Sequence, residues 1–228
     1  MSQLSIYSDV KTFFEGIMDD ASFGEDFVYD LFAQAEMVLA MEKPWEVLTN
    51  YGTTISYSSG DTYLTNYSFS SFSPALLYIV SLNLDRESAS YRDQVPMKDR
   101  YRRQDDSNFF AVDYKNSRLH LMGTRSKSGT IYTDYVQHPT YPVASGTPPW
   151  PQAFRAITAF VAAGILKGAV DADDISARLS PKLREQYEAL KLAMSAWDNR
   201  LRKGNKHPIE FSGRDYRDYP LQSTDLGV

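Results

Sequence analysis

Leu183, Tyr187, Leu190, Met194, Trp197 and Leu201 follow one another at alternating spacings of four and three. Only an α-helix gathers such positions onto one face. Ser180-Pro181 supplies a cap and a first-turn proline at its start. Arg200, Arg202 and Lys203 stand in its last turn, where the helix dipole favours cations, and Gly204-Asn205 closes it. About twenty residues at a rise of 1.5 Å give roughly 30 Å of helix. Such a helix has one apolar face, so the rest of the chain must supply a body for it to pack on.

Three further segments have helical character. Residues 4–19 collect Phe13, Phe14, Ile17 and Met18 near their end. In residues 23–43, Phe27, Leu31, Ala35 and Val38 define a stripe that Val28, Phe32 and Leu39 widen. Ser22 and Glu25 have the spacing of a capping box, and Lys43-Pro44 stops the helix. Residues 151–168 place Phe154, Ile157, Val161 and Ile165 on one face. Their many alanines and Gly164 would let a neighbouring helix come close. A short acidic turn is expected over 171–179.

The middle of the chain differs. Over 45–137, Tyr, Thr, Ser and Val become dense and turn residues recur at short intervals. "TTISYSSGDTYLTNY" reads as two strands around Ser59-Gly60-Asp61, and "ALLYIVSL" as a buried strand. "NFFAVDY", "RLHLMG" and "TIYTDYV" read as a three-stranded meander, its last two strands joined as a hairpin through residues 123–129. Residues 138–150 hold four prolines and lead back to helix. The expected fold class is α+β. A small bundle of about four helices (4–43 and 151–203) carries a central antiparallel β insertion (45–137). Together these form one domain over 1–204, followed by an extended tail over 205–228.

Composition narrows the function. The 228 residues are 43% hydrophobic and 14% aromatic, too apolar for a disordered chain. A net charge of −5 leaves no basic excess to neutralise phosphates, so a dedicated nucleic-acid binder is not expected. With no cysteine there is no disulfide, thiol nucleophile or Cys-ligated zinc. Residues 1–15 lack a basic start followed by an apolar run, so no signal peptide is expected. The stretch 153–170 is too short and interrupted to span a bilayer, so no membrane partner is expected.

No catalytic set emerges. His120, His138 and His207 lack helical ligand spacing and read as solvated surface residues, and no cofactor or metal is expected. Asp19-Asp20, Asp105-Asp106 and Asp173-Asp174 stand at expected helix ends or loops, where capping explains them. Arg100, Arg102 and Arg103 precede Asp105 and Asp106. They read as a self-compensating loop or, if functional, as a charged contact between subunits. Arg125 and Lys127 sit at the basic tip of the expected hairpin and join that contact set. Phe211, Arg214, Tyr216, Arg217 and Tyr219 interleave aromatic rings with arginines and have no evident core to join, a composition suited to an interface anchor.

The layout resembles the head-to-tail connector, or adaptor, proteins of tailed bacteriophages over roughly residues 1–202. "EDFVYDLFAQAEMVLAMEKPWEVLTNYGTTISY" resembles an N-terminal helix leading into a β insertion. "NFFAVDYKNSRLHLMGTRSKSGTIYTDYVQHP" resembles the strand–turn–strand run that ends in a proline, and residues 147–201 resemble the returning helix pair. "NYSFSSFSPALLYIV" departs from the family by lacking a Pro-x-Asp-Phe feature. The resemblance implies a non-enzymatic virion protein of the neck, assembled in the host cytoplasm as a dodecameric ring beneath the portal. That ring extends the DNA channel. Its implied partners are other copies of the chain, the portal protein, and downstream tail, nozzle or fibre proteins. DNA passes through without sequence-specific binding, and the C-terminal segment grips the portal. Two other readings remain open: a β-rich carbohydrate- or peptide-binding module, and a glycan hydrolase built on two carboxylates.

Overall fold

In the computed structural model the described residues are 4–19, 22–57, 66–68, 72–84, 93–94, 98, 109–121 and 129–204. The fold is α+β, with five α-helices and two small sheets among these residues. They divide into two compact units. One takes the residues up to Leu48 and from Pro139 on; the other takes Thr49–His138. The single domain expected over 1–204 thus contains two units, and the second covers the stretch that reads as strand-rich.

The helical unit is organised by α3 (Ala156–Leu166), which is buried on every side from Ile157 to Gly164. A helix apolar all round belongs in the middle of a body. Accordingly α1 (Tyr7–Met18), α2 (Glu25–Glu42), α4 (Asp174–Arg178) and α5 (Pro181–Gly204) all pack on it. Gly164 is required there: a Cβ at this position would lie 2.9 Å from Ile175 Cδ1 of α4. The expected start at residue 151 is instead a 3-10 turn, Gln152–Phe154, and α3 begins after it.

Asp9 closes the start of α1, its Oδ2 accepting from the Ser5 and Ile6 N–H groups at 2.8 and 3.1 Å. α2 starts at Glu25 with Gly24 as its cap and no side-chain cap bond, so the Ser22 capping box does not form. Its buried line runs through Val28, Phe32, Ala35 and Leu39. Phe27, expected in the core stripe, is exposed, while Glu36 is fully buried. On α5 the deepest positions are Tyr187, Met194 and Asp198; Leu183, Leu190, Trp197 and Leu201 are half-buried beside them. Trp197 packs on Phe154, ring centroids 5.7 Å apart.

In the β unit, β1 (Thr49–Tyr57), β7 (Gly129–Gln137) and β3 (Leu76–Leu84) form one antiparallel sheet with β7 in the centre. The second sheet has the order β2 (Asn66–Ser68), β6 (Arg118–Leu121), β5 (Phe109–Asp113), β4 (Asp93–Gln94), with β4 parallel to β5. Ile55, Leu82 and Tyr135 of the first sheet and Phe110, Val112 and Leu119 of the second share one core.

Two expected pairings are corrected by this topology. β1 and β2 do not pair with each other; they lie in different sheets. The hairpin expected over 116–136 does not form either, because β6 pairs with β5 and β7 crosses to the other sheet. Only the β5–β6 half of the meander is present, turned through Tyr114–Ser117 with Ser117 at φ 52.

Candidate interaction surface

All ten residues given a contact role from the sequence lie outside the described residues. They are Arg100, Arg102, Arg103, Arg125 and Lys127, and Phe211, Arg214, Tyr216, Arg217 and Tyr219. The described residues offer two other kinds of feature: buried carboxylates and exposed apolar side chains.

Each buried carboxylate ties elements together. On β7, Asp134 Oδ1 accepts from the Gly52 N–H and Oδ2 from the Ser81 hydroxyl, both at 2.8 Å. Gly52 sits at φ +65 in the bulge between β1 and β7, where the ladder leaves its N–H unpaired. On α5, Asp198 accepts from the Glu46 N–H at 2.7 Å, pairs with Lys43 Nζ at 3.2 Å and accepts from Arg202 Nε at 3.0 Å. It thereby fixes the turn that follows α2. On α2, Glu36 faces Tyr7 of α1 and Thr158 of α3, and burial pushes its carboxyl up to about 8. The Glu36 carboxyl raises the Tyr7 phenol further, after burial itself.

The histidine expectation divides. His207 lies outside the described residues; His138 is exposed, but His120 is buried in β6, with Nε2 3.9 Å from the Asp113 carboxylate. Asp113 itself is held below its ordinary range by hydrogen bonds from Asn116. Among the described residues no group of three His, Cys, Asp or Glu is placed to hold a metal ion. No described helix is long and apolar enough to cross a membrane.

The exposed apolar residues gather on the helical unit. Phe27 on α2 is 46% exposed, and Tyr141 and Val143 in the Pro-rich segment are 55% and 52% exposed. Tyr141 donates its hydroxyl to Asp30 Oδ1 at 2.7 Å, and that carboxylate raises the phenol pKa. Asp30 lies one turn beyond Phe27, so both rings stand at the same end of α2. Phe23 stacks behind Phe27, centroids 6.0 Å apart. The segment under Tyr141 is fixed in place. The Tyr7 N–H donates to Gly146 O at 2.9 Å and the Ser8 N–H to Ala144 O at 3.1 Å. Arg155 donates through Nη1 to Leu4 O and Ser5 O, and through Nε to Trp150 O.

The surroundings of this patch are acidic. Between Lys11 and Lys43 every charged residue is Asp or Glu, and residues 139–150 carry no charge. A second apolar row lies on the outward side of α5, through Ala189, Leu192, Ala193 and Ala196, all exposed, with Leu192 at 74%. Lys182, Glu185 and Arg200 extend this row at its two ends. The cation-free run was the available sequence signal for the first patch. For the second it was apolar residues recurring at 189, 192/193 and 196, off the main α5 stripe.

No protein-family model matches the chain, and no curated protein matches it.

Proposed function

We propose that this chain is a structural head-to-tail adaptor of a tailed bacteriophage, one subunit of a ring that sits beneath the portal and extends the DNA channel. The observation that carries the reading is the path of the chain. Two helices enter, the chain leaves to build a β unit, and it returns through a Pro-rich segment to complete the same helical body around α3. That is the layout implied by the resemblance to the connector family. The exposed Phe27, Tyr141, Val143 and Leu192 are consistent with a subunit that acts by contact with other chains.

On this reading the helical unit forms the ring, and the β unit provides docking area for tail, nozzle or fibre components. Residues 205–228 grip the portal, anchored by Phe211, Arg214, Tyr216, Arg217 and Tyr219. Arg100, Arg102, Arg103, Arg125 and Lys127 contribute to contacts with neighbouring subunits or the tail. The net charge of −5 suits a wall along which DNA must slide without binding. No catalytic step and no cofactor is assigned, and the protein resides in the neck of the virion after assembly in the host cytoplasm. Electron microscopy of the chain mixed with its portal tests the reading, through the presence or absence of a stacked ring.

A further inference from the structure

We infer that the outward row of α5 in one copy seats against the Phe27–Tyr141 patch of the next copy, a heterologous contact between two different faces of this chain. The inference rests on the ring reading, and it supplies the surfaces that such a ring would use.

Both faces belong to the helical unit, and both point away from the central helix. α2 turns Val28, Phe32 and Ala35 inward, leaving Phe27 and Asp30 outside. α5 turns Tyr187 and Met194 inward, leaving Ala189, Leu192 and Ala196 outside. Two distinct faces on one subunit are what head-to-tail association needs, and it closes into a ring when the rotation allows. The α5 row has short side chains around one exposed leucine, while the α2 patch presents Phe27 beside Tyr141, whose segment is held by the Tyr7 and Ser8 N–H groups.

Charge selects the partner. The aromatic patch is rimmed by Glu25, Asp26 and Asp30, without a cation in that part of the chain. The α5 row is flanked by Lys182 and Arg200, with Glu185 on it and Glu188 exposed one turn from Leu192. Patch against patch would set carboxylates together, whereas patch against row brings Lys182 and Arg200 to them.

The chain has no cysteine, so introduced thiols report the contact cleanly. The full-length double variant Phe27→Cys/Leu192→Cys, oxidised at high protein concentration, should give a reducible ladder of multimers. Each single variant should stay monomeric, and mixing the two singles should give only a dimer. Val143→Cys in place of Phe27→Cys gives a second pair on the same patch, and an unchanged thermal melt shows that each variant is folded. Raised salt should lower the ladder yield. Single variants that dimerise as readily as the mixture would overturn the inference, as would a folded double variant that stays monomeric with both thiol pairs. A ladder without portal binding would sink the adaptor reading and leave this contact standing. Rings on the portal in which neither pair cross-links would do the reverse.

Discussion

Thr158 Oγ1 lies 3.5 Å from Glu36 Oε1, and both side chains are fully buried where α3 meets α2. Burial raises the Glu36 carboxyl from 4.5 to about 8, and the hydroxyls of Tyr7 and Thr158 offset only part of that shift. The folded protein therefore holds a proton that the unfolded chain releases above about pH 4.5. The contribution of this group to stability is full below that pH, declines as pH rises toward 8, and is flat beyond. Glu36→Gln keeps the shape and removes the charge. At pH 9 it should be more stable than the parent by about 2–4 kcal/mol, with the difference vanishing near pH 4. Denaturant melts across pH check this, and parallel profiles would show that Glu36 carries no proton in the fold.

Asp134 has a different role. Its two oxygens satisfy the Gly52 N–H of the bulge and the Ser81 hydroxyl. Asp134→Ala should cost about 2–4 kcal/mol, because two buried donors lose their acceptor. Gly52→Ala should cost about 1–2 kcal/mol through its left-handed backbone alone, since no atom lies within 4 Å of the added methyl. A Gly52→Ala melt equal to the parent would place the bulge elsewhere.

Asp198→Ala should be among the most damaging substitutions in the helical unit. It removes the shared acceptor of Lys43, Arg202 and the Glu46 N–H. The expected loss is about 3–5 kcal/mol by denaturant unfolding. Asp198→Asn should lose less, because it still accepts from Glu46. Equal losses for the two would show that charge, not the backbone bond, is what matters.

These roles show what the sequence made legible. The α5 period is local: six residues on one face, with Pro181 and Gly204 marking the ends, and the helix follows it closely. The strand content of the middle was equally readable from its Tyr, Thr and Val density. Pairing was not. β7 finds its neighbours in β1 and β3, far away in the chain, whereas turn signals report only what lies next door. The serine- and glycine-bearing stretch before β7 therefore suggested a hairpin with β6 that does not exist. A face assignment on α2 failed for a related reason. The apolar stripe places Phe27 inward, but α3 and α1 cover the side that holds Glu36, where the Tyr7 and Thr158 hydroxyls face its carboxyl. The exposed patch left only its cation-free run as a signal, since it joins α2 to a proline-rich segment more than a hundred residues on.

If residues 205–228 grip the portal, deleting them should separate folding from attachment. α5 ends at Gly204, so the truncated chain should melt like the parent. It should no longer bind the portal in a sedimentation assay. Normal binding, or a large loss of stability, would contradict the role given to that segment.

The most direct measurement is cryo-electron microscopy of the full chain mixed with its purified portal. The account predicts a second ring stacked beneath the portal, with the helical unit of each subunit touching its neighbours and the β unit free to meet the next tail component. A portal without added density, at protein concentrations well above those of assembly, would contradict it.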